Sequence, residues 1–236
     1  MRAVAVGQAE LRLFWRNRTA LFNSIVMPLL ITPALMAAAD ADGVSLIVGL
    51  VGFVLLMAVY YNLVTTFVAR REELVLKRLR VGELTDPEIL FGASLPSVVV
   101  ALGQMALFAV IVGVWTEAAL PSRPWFLLVG VAGGVLVFAL LAAASSAFTR
   151  TVEMAQVTSL PILVACLLGS GLFFPLSAVP EGVASVLRLL PLTPVLDLVR
   201  AGWADGPVLR PLIVLTVWIA LGIYAVRRWF RWDPRR

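Results

Sequence analysis

Six long apolar stretches, separated by short polar joints, constrain the fold of this 236-residue chain more than any motif does. A helix of about 20 apolar residues crosses the hydrocarbon layer of a bilayer, and each stretch has about that length. The stretches are continuously apolar instead of alternating, which excludes a barrel. Charged residues make up 14% of the chain, whereas about a quarter of a soluble domain is charged. We therefore predict an all-α integral membrane protein with spans at residues 20–39, 44–69, 92–116, 124–148, 155–174 and 208–226.

The same stretches define the domain organisation. Six spans occupy nearly the whole length, so residues 1–236 are predicted to form a single transmembrane domain with short tails. The first stretch is too long for a removable signal peptide and lacks its small-residue cleavage pattern. The chain has no histidine, and its one cysteine, Cys166, lies within an apolar stretch. Imidazole metal sites, His-based triads and intrachain disulfides are therefore excluded.

Basic residues indicate how the spans are oriented. With a cytoplasmic N-terminus, 15 of the 19 lysine and arginine residues lie on the cytoplasmic side, where membrane proteins carry their basic excess. The four on the outer side are Arg123, Arg188, Arg200 and Arg210. Both termini are therefore predicted to be cytoplasmic, which requires an even number of spans. The usage of arginine over lysine is typical of a GC-rich bacterial source, so we expect a bacterial cell membrane.

Residues 183–199 are also largely apolar and offer an alternative, seventh span. That span would place the basic C-terminal tail outside. The segment also contains Arg188, Asp197 and two prolines, which are unfavourable in a helix that faces lipid. We instead predict an outer re-entrant helical hairpin over residues 175–206, between the fifth and sixth spans.

Two cytoplasmic segments are predicted to be amphipathic. Residues 1–18 are interpreted as an interface helix, with Trp15 at the headgroup level; a plain basic anchor is the alternative. The joint at residues 70–90 has an apolar arc and a charged stripe opposite. Its Thr85-Asp86-Pro87-Glu88 run is a helix start signal. This joint is well placed to receive a push from a cytoplasmic partner; a solvated charged loop is the alternative.

The sequence lacks the motifs and residues that several kinds of transport and catalysis require. A phosphate-binding G-x-x-x-x-G-K-[ST] motif cannot exist, because the only lysine is Lys77 and it follows Leu76. The apolar stretches carry almost no charge away from their ends, whereas ion-coupled carriers usually keep ionisable residues at membrane depth. No catalytic residues and no metal ligands are assigned. Any energy for uphill transport must therefore come from another subunit.

Ordered motifs along nearly the whole chain resemble the type-2 ABC exporter permeases, which include drug-resistance, polysaccharide-export and G-subfamily transporters. Residues 11–28 look like the family's interface helix entering the first span, and residues 71–80 resemble its "RE…LKRLR" loop. Leu74-Val75 stands where the family often has Gly-Thr. The motif residues from the fifth span onwards, in order, are Pro161, Ser170, Gly171, Phe174, Pro175, Pro180, Leu190, Pro191, Leu192, Thr193, Asp197 and Arg200.

The resemblance implies a half-size permease that pairs with a second copy and with two ATP-binding subunits, which would hold the ATP and Mg²⁺. No cofactor is implied in this chain, its other partners are membrane lipids, and no nucleic acid is expected. Residues implied to couple to the ATP-binding subunits are Arg71, Glu72, Glu73, Leu76, Lys77, Arg78, Leu79 and Arg80. Residues implied for an outer gate are Ser170, Gly171, Pro175, Pro180, Pro191, Asp197 and Arg200.

The implied substrate path runs between the two copies, near the second and fifth spans. Its candidate lining residues are Phe53, Met57, Tyr60, Tyr61, Thr65, Thr158, Ser159, Cys166 and Phe173. Such an apolar, aromatic lining suits an amphipathic drug-like or lipid-like molecule, although ordinary helix packing is the alternative for each residue. Two other classes of function stay open: a self-contained secondary carrier or channel, and a non-transporting membrane subunit or intramembrane enzyme.

Overall fold

A computed structural model describes residue 12 and residues 42–75, 85–172, 178–230 and 232, and the regular elements in these ranges are all helical. The predicted first span, and the predicted interface helix apart from Arg12, lie outside the described residues. Five helices are long and apolar enough to cross a membrane: α1 (Gly43–Glu72), α2 (Asp86–Thr116), α3 (Pro124–Phe148), α4 (Val152–Gly169) and α7 (Leu209–Trp229). Two short helices lie between the last two of these: α5 (Glu181–Leu187) and α6 (Thr193–Arg200).

The second to sixth predicted spans thus correspond to helices, and α2 shows why a boundary differs. This helix starts at Asp86 and not at residue 92, because Thr85 and Glu88 form a capping box. The backbone N–H of Thr85 donates to Glu88 Oε2 at 2.9 Å, and Pro87 occupies the first turn, where its missing N–H costs nothing. The start signal at residues 85–88 is confirmed, and hydrophobicity alone sets the boundary too late.

The centre of the described bundle is α3, which packs against α1, α6 and α7. Two glycines on one face of α3 bring α6 close: a Cβ on Gly134 would lie 2.8 Å from Val195 Cγ1, and a Cβ on Gly130 would lie 3.0 Å from the Val199 backbone nitrogen. The small-xxx-small spacing in the sequence therefore marks a real close contact. Gly134 lies about 15 Å along α3 from its first residue, so α6 reaches well down the bundle.

Gly130→Ala is expected to lower the stability of the folded chain by about 1–3 kcal/mol, because the added methyl group meets backbone, which cannot rotate away. Gly113→Ala in α2 is the matched control, since a Cβ there has nothing within 4 Å. Alanine favours a helix by about 1 kcal/mol over glycine, so the control should hold or gain stability. Thermal unfolding in detergent measures both. Equal melting temperatures would refute the close contact at Gly130.

The seven residues Leu55–Tyr61 form a π-helical segment in the middle of α1. Such segments widen the helix and are frequent at functional sites. The side chain of Tyr60 in this segment is fully buried, and its hydroxyl shares a 3.0 Å hydrogen bond with Ser145 Oγ of α3. Its ring meets Phe138 edge-on, with centroids 6.2 Å apart.

The bundle of described helices has two ends. We name the first the Arg71 end; it contains the C-terminus of α1, the turn between α3 and α4, and the last turn of α7. There, Phe67 packs edge-on against Phe230, and Phe148 packs against Trp229.

We name the opposite end the Arg123 end; it contains the turn between α2 and α3 and the segment after α6. There, the Arg123 N–H donates to the Gly202 carbonyl at 2.9 Å, and Trp203 Nε1 donates to the Ala119 carbonyl at 2.6 Å. These two bonds tie the segment that follows α6 to the turn between α2 and α3, so α5 and α6 belong to this end.

Candidate functional site

The first group of predicted site residues lies at the C-terminus of α1. Glu72 and Glu73 are exposed, and Glu73 Oε2 accepts from Arg70 Nη1 at 3.0 Å. The remaining coupling candidates, Leu76, Lys77, Arg78, Leu79 and Arg80, lie outside the described residues.

Arg71 differs from its neighbours because its side chain is buried, with 1% exposure. Its guanidinium donates to the carbonyl of Ser146 at 2.8 Å and to the carbonyl of Thr149. Both carbonyls belong to the last turn of α3 and its C-cap. A cation is favourable at the C-terminus of a helix, where the dipole and the unpaired carbonyls are negative. Arg71 therefore fastens the end of α1 to the turn that leads into α4.

From the sequence, Arg71 was predicted to lie in an amphipathic cytoplasmic joint, and this internal contact was not predicted. The helical phase of α1 contained the signal: Val68, Phe67, Val64 and Leu63, at three, four, seven and eight positions before Arg71, are all buried. An arginine on that face must point inward. A direct contact of Arg71 with an ATP-binding subunit stays a prediction, whereas its contact with α3 belongs to this chain.

The chain turns sharply just after α1. Leu74 has φ 61°, in the left-handed region, and its N–H bonds the Arg71 carbonyl at 3.1 Å. Glycine adopts this conformation without strain, whereas a residue with a Cβ pays about 1–2 kcal/mol. Leu74 stands where the resembling family often has glycine. Leucine at this position therefore keeps the turn but adds backbone strain to it.

Leu74→Gly is expected to stabilise the folded chain by about 0.5–1 kcal/mol, because relief of the left-handed strain outweighs the greater freedom of unfolded glycine. Val75→Gly is the control: Val75 is helical, so glycine there brings only the entropic cost. The two variants should shift the melting temperature in opposite directions. A lower melting temperature for Leu74→Gly would contradict the strained turn.

The predicted substrate-path residues divide into two sets. Phe53, Met57, Tyr61 and Thr65 recur every four residues along α1 and are half-buried, so they form one accessible stripe. Tyr60 is instead part of the core through its contacts with α3. The sequence-based prediction placed Tyr60 in the substrate path because Tyr60 is one more aromatic residue in an apolar run.

On α4, the hydroxyl candidates are occupied by their own helix. Thr158 Oγ1 donates to the Met154 carbonyl at 3.0 Å, and Ser159 Oγ donates to the Gln156 carbonyl at 3.0 Å. Thr158 is half-buried, whereas Ser159 and Cys166 are buried. Phe173 lies outside the described residues. Of these α4 residues, Thr158 is the one with a side chain partly accessible for a ligand.

The predicted hairpin residues surround α5 and α6. Helix α4 ends at Gly169, and the chain then passes through Ser170 and through Gly171, which has φ 77°. Pro180 precedes α5, and Pro191 lies in the turn before α6. Pro175 lies outside the described residues. Glycine or proline thus stands at the described changes of direction after α4, before α5 and before α6.

Helix α6 is held on several sides. Its first residue, Thr193, donates from Oγ1 to the Leu187 carbonyl of α5 at 2.9 Å. From α7, Trp218 Nε1 donates to the Leu189 carbonyl at 2.7 Å. Most of its apolar side chains are buried, among them Val195 and Leu196. Helix α6 is therefore an integral part of the fold, whereas α5 lies at the surface, with Ala184 as its one buried residue.

The charged side of α6 faces away from the core. Arg200 Nη1 lies 3.5 Å from Asp197 Oδ1, as the three-residue spacing predicted. Partial burial raises the pKa of Asp197, while the positive charges of Arg200, Arg188 and Arg210 oppose that shift. Asp197 is thus a carboxylate in the field of several guanidinium groups.

The described residues contain no group of three or more His, Cys, Asp or Glu side chains that could hold a metal ion. No curated protein matches the chain significantly. The family model of the ABC-2 type transporter matches residues 2–203. The chain therefore belongs to the ABC-2 type transporter family, whose members are multi-pass membrane transport subunits that normally work with an ATP-binding subunit.

Proposed function

We propose that this chain is the permease subunit of an ATP-driven exporter, which works as a dimer with two ATP-binding subunits in a bacterial cell membrane. One observation carries the proposal: the only charged side chain buried in the described residues is Arg71, at a helix end. Carriers driven by an ion gradient usually keep ionisable groups at membrane depth. In the described ranges, the long helices carry Asp, Glu and Arg only near their ends, which favours a partner subunit as the source of energy.

The Arg71 end is the cytoplasmic end in this proposal, in keeping with the basic residues of the tails and of the 70–90 joint. A push on that joint would reach α1 directly and would reach the α3–α4 turn through Arg71. The contact therefore supports a role for residues 71–80 in coupling, with Glu72 and Glu73 available on the surface.

The Arg123 end is then the outer side, where the hairpin over residues 175–206 serves as the gate. The burial of α6 against α3 supports a re-entrant position for this hairpin. The half-buried stripe from Phe53 to Thr65 supports a substrate surface between two copies. That surface is aromatic and apolar with two hydroxyls, those of Tyr61 and Thr65, which suits an amphipathic drug-like or lipid-like substrate.

The test first asks whether a gene beside that of this chain encodes a Walker-A ATPase. The purified chain is then reconstituted in proteoliposomes with and without that ATPase. A fluorescent amphipathic dye reports transport, and released phosphate reports hydrolysis. Export that requires both ATP and the ATPase, together with permease-stimulated hydrolysis, is expected. Dye movement driven by an ion gradient without the ATPase would favour the secondary carrier. No stimulation and no dye movement with the ATPase present would refute both.

A further inference from the structure

Three arginines converge at the Arg123 end, although they are separated in the sequence. Arg188 follows α5, Arg200 ends α6, and Arg210 lies in the first turn of α7. All three line one cavity of about 400 Å³. Arg123, the other arginine of this end, does not line the cavity and forms an ion pair with Asp205. Like charges repel, so this arrangement is unfavourable unless a negative group offsets it.

The carboxylates at the cavity do not balance these charges. Asp197 and Asp205 also line the cavity. Asp205 is already paired with Arg123, which does not line the cavity. Three guanidinium groups against Asp197 leave a net charge of +2. Because Asp197 faces all three arginines, it cannot neutralise more than one of them.

The backbone around the cavity adds to the same potential. Gly206, Pro207 and Pro211 complete its wall beside the start of α7. The N-cap of α7 is Val208, which has no side-chain oxygen to accept from the first N–H groups. The positive end of the α7 dipole therefore also faces this region. Apolar wall and cationic groups together suit a ligand with an anionic head.

We propose that the cavity formed by Arg188, Arg200 and Arg210 binds a phosphate group, from a lipid headgroup or from free phosphate. Guanidinium groups present paired N–H donors that match phosphate oxygens. A single phosphodiester charge would reduce the net charge of the site from +2 to +1. The site lies on α5, α6 and α7, away from the half-buried stripe of α1, and it needs no ATP-binding partner.

The test measures binding to the full chain, purified in a nonionic detergent, by isothermal titration calorimetry. The probes are short-chain phosphatidylglycerol, short-chain phosphatidylcholine and inorganic phosphate. The double variant Arg188→Gln/Arg210→Gln is expected to bind phosphatidylglycerol about 25-fold more weakly, at about fivefold for each charge. Binding should also weaken as the salt concentration rises.

Arg227→Gln/Arg228→Gln is the matched control, since it removes two exposed charges from the Arg71 end and should bind as the unmodified chain does. Asp197→Asn should bind about threefold more tightly, because it removes the opposing carboxylate; this gain guards against a loss caused by misfolding. Saturable binding of inorganic phosphate would identify a free anion as sufficient, and binding of phosphatidylglycerol alone would identify a lipid headgroup. Equal affinities in the two double variants would overturn the proposal. Equal affinities for the two lipids would also overturn it, because the choline cation of phosphatidylcholine offsets its phosphate charge and should weaken binding at a cationic site.

Discussion

Replacing Arg71 with methionine is expected to destabilise the folded chain by about 3 kcal/mol. Methionine fills similar space, so the loss comes from the carbonyls of Ser146 and Thr149, which lose a charge-assisted donor while still buried. Each such bond is worth about 1.5–3 kcal/mol, and buried acceptors left without a partner add to the cost. The favourable position of a cation at the C-terminus of α3 is lost as well.

Arg70→Met is the matched control for that measurement. Arg70 is the preceding residue in the same helix turn, but its side chain is 24% exposed and pairs with an exposed glutamate. Exposed pairs of this kind are worth about 0–1 kcal/mol. Arg71→Lys should fall in between, since lysine keeps the charge but cannot bond both carbonyls with a rigid fork. Thermal unfolding in detergent ranks the three variants. Equal melting temperatures for Arg70→Met and Arg71→Met would contradict the fastening role.

A covalent link between the hairpin and α3 is expected to reduce export at least tenfold. A Cβ on Gly202 would lie 3.3 Å from Leu127 Cβ, close to the separation of about 3.5–4.5 Å found in disulfides. Leu127→Cys/Gly202→Cys in a Cys166→Ala background therefore offers a crosslink within one copy. If the hairpin is the outer gate, it must move against α3 for substrate to leave, and the crosslink prevents that movement.

Dye export from proteoliposomes, measured before and after reduction, separates the crosslink from the substitutions. A Cβ on Gly202 would also lie 3.0 Å from the Val199 carbonyl oxygen, so Gly202→Cys alone shows the effect of strain. Recovery after reductant, with continued ATP hydrolysis throughout, is expected for a gate. Normal export by the oxidised protein would show that the hairpin is a static cap.

The features that the sequence predicted correctly depend on residues close together in the chain. The second to sixth spans depend on continuous runs of apolar residues, and the start of α2 on the capping residues Thr85 and Glu88. The break after α4 depends on the glycines near residue 170. The Asp197–Arg200 pair depends on a three-residue helical spacing. In each case, the physical cause acts within a few turns of helix, so local sequence suffices.

The tertiary structure decided which side of each helix is covered. Arg71 is buried by the end of α3, about 75 residues away in sequence, and Tyr60 is buried by Ser145 and Phe138. The three arginines of the cavity come together because α5, α6 and α7 meet at one end. In lipid, both packed and exposed faces are apolar, so hydrophobicity determines that a helix spans the membrane but not which face meets a neighbour. Contacts between distant helices settle that question, and the candidate sites depend on it.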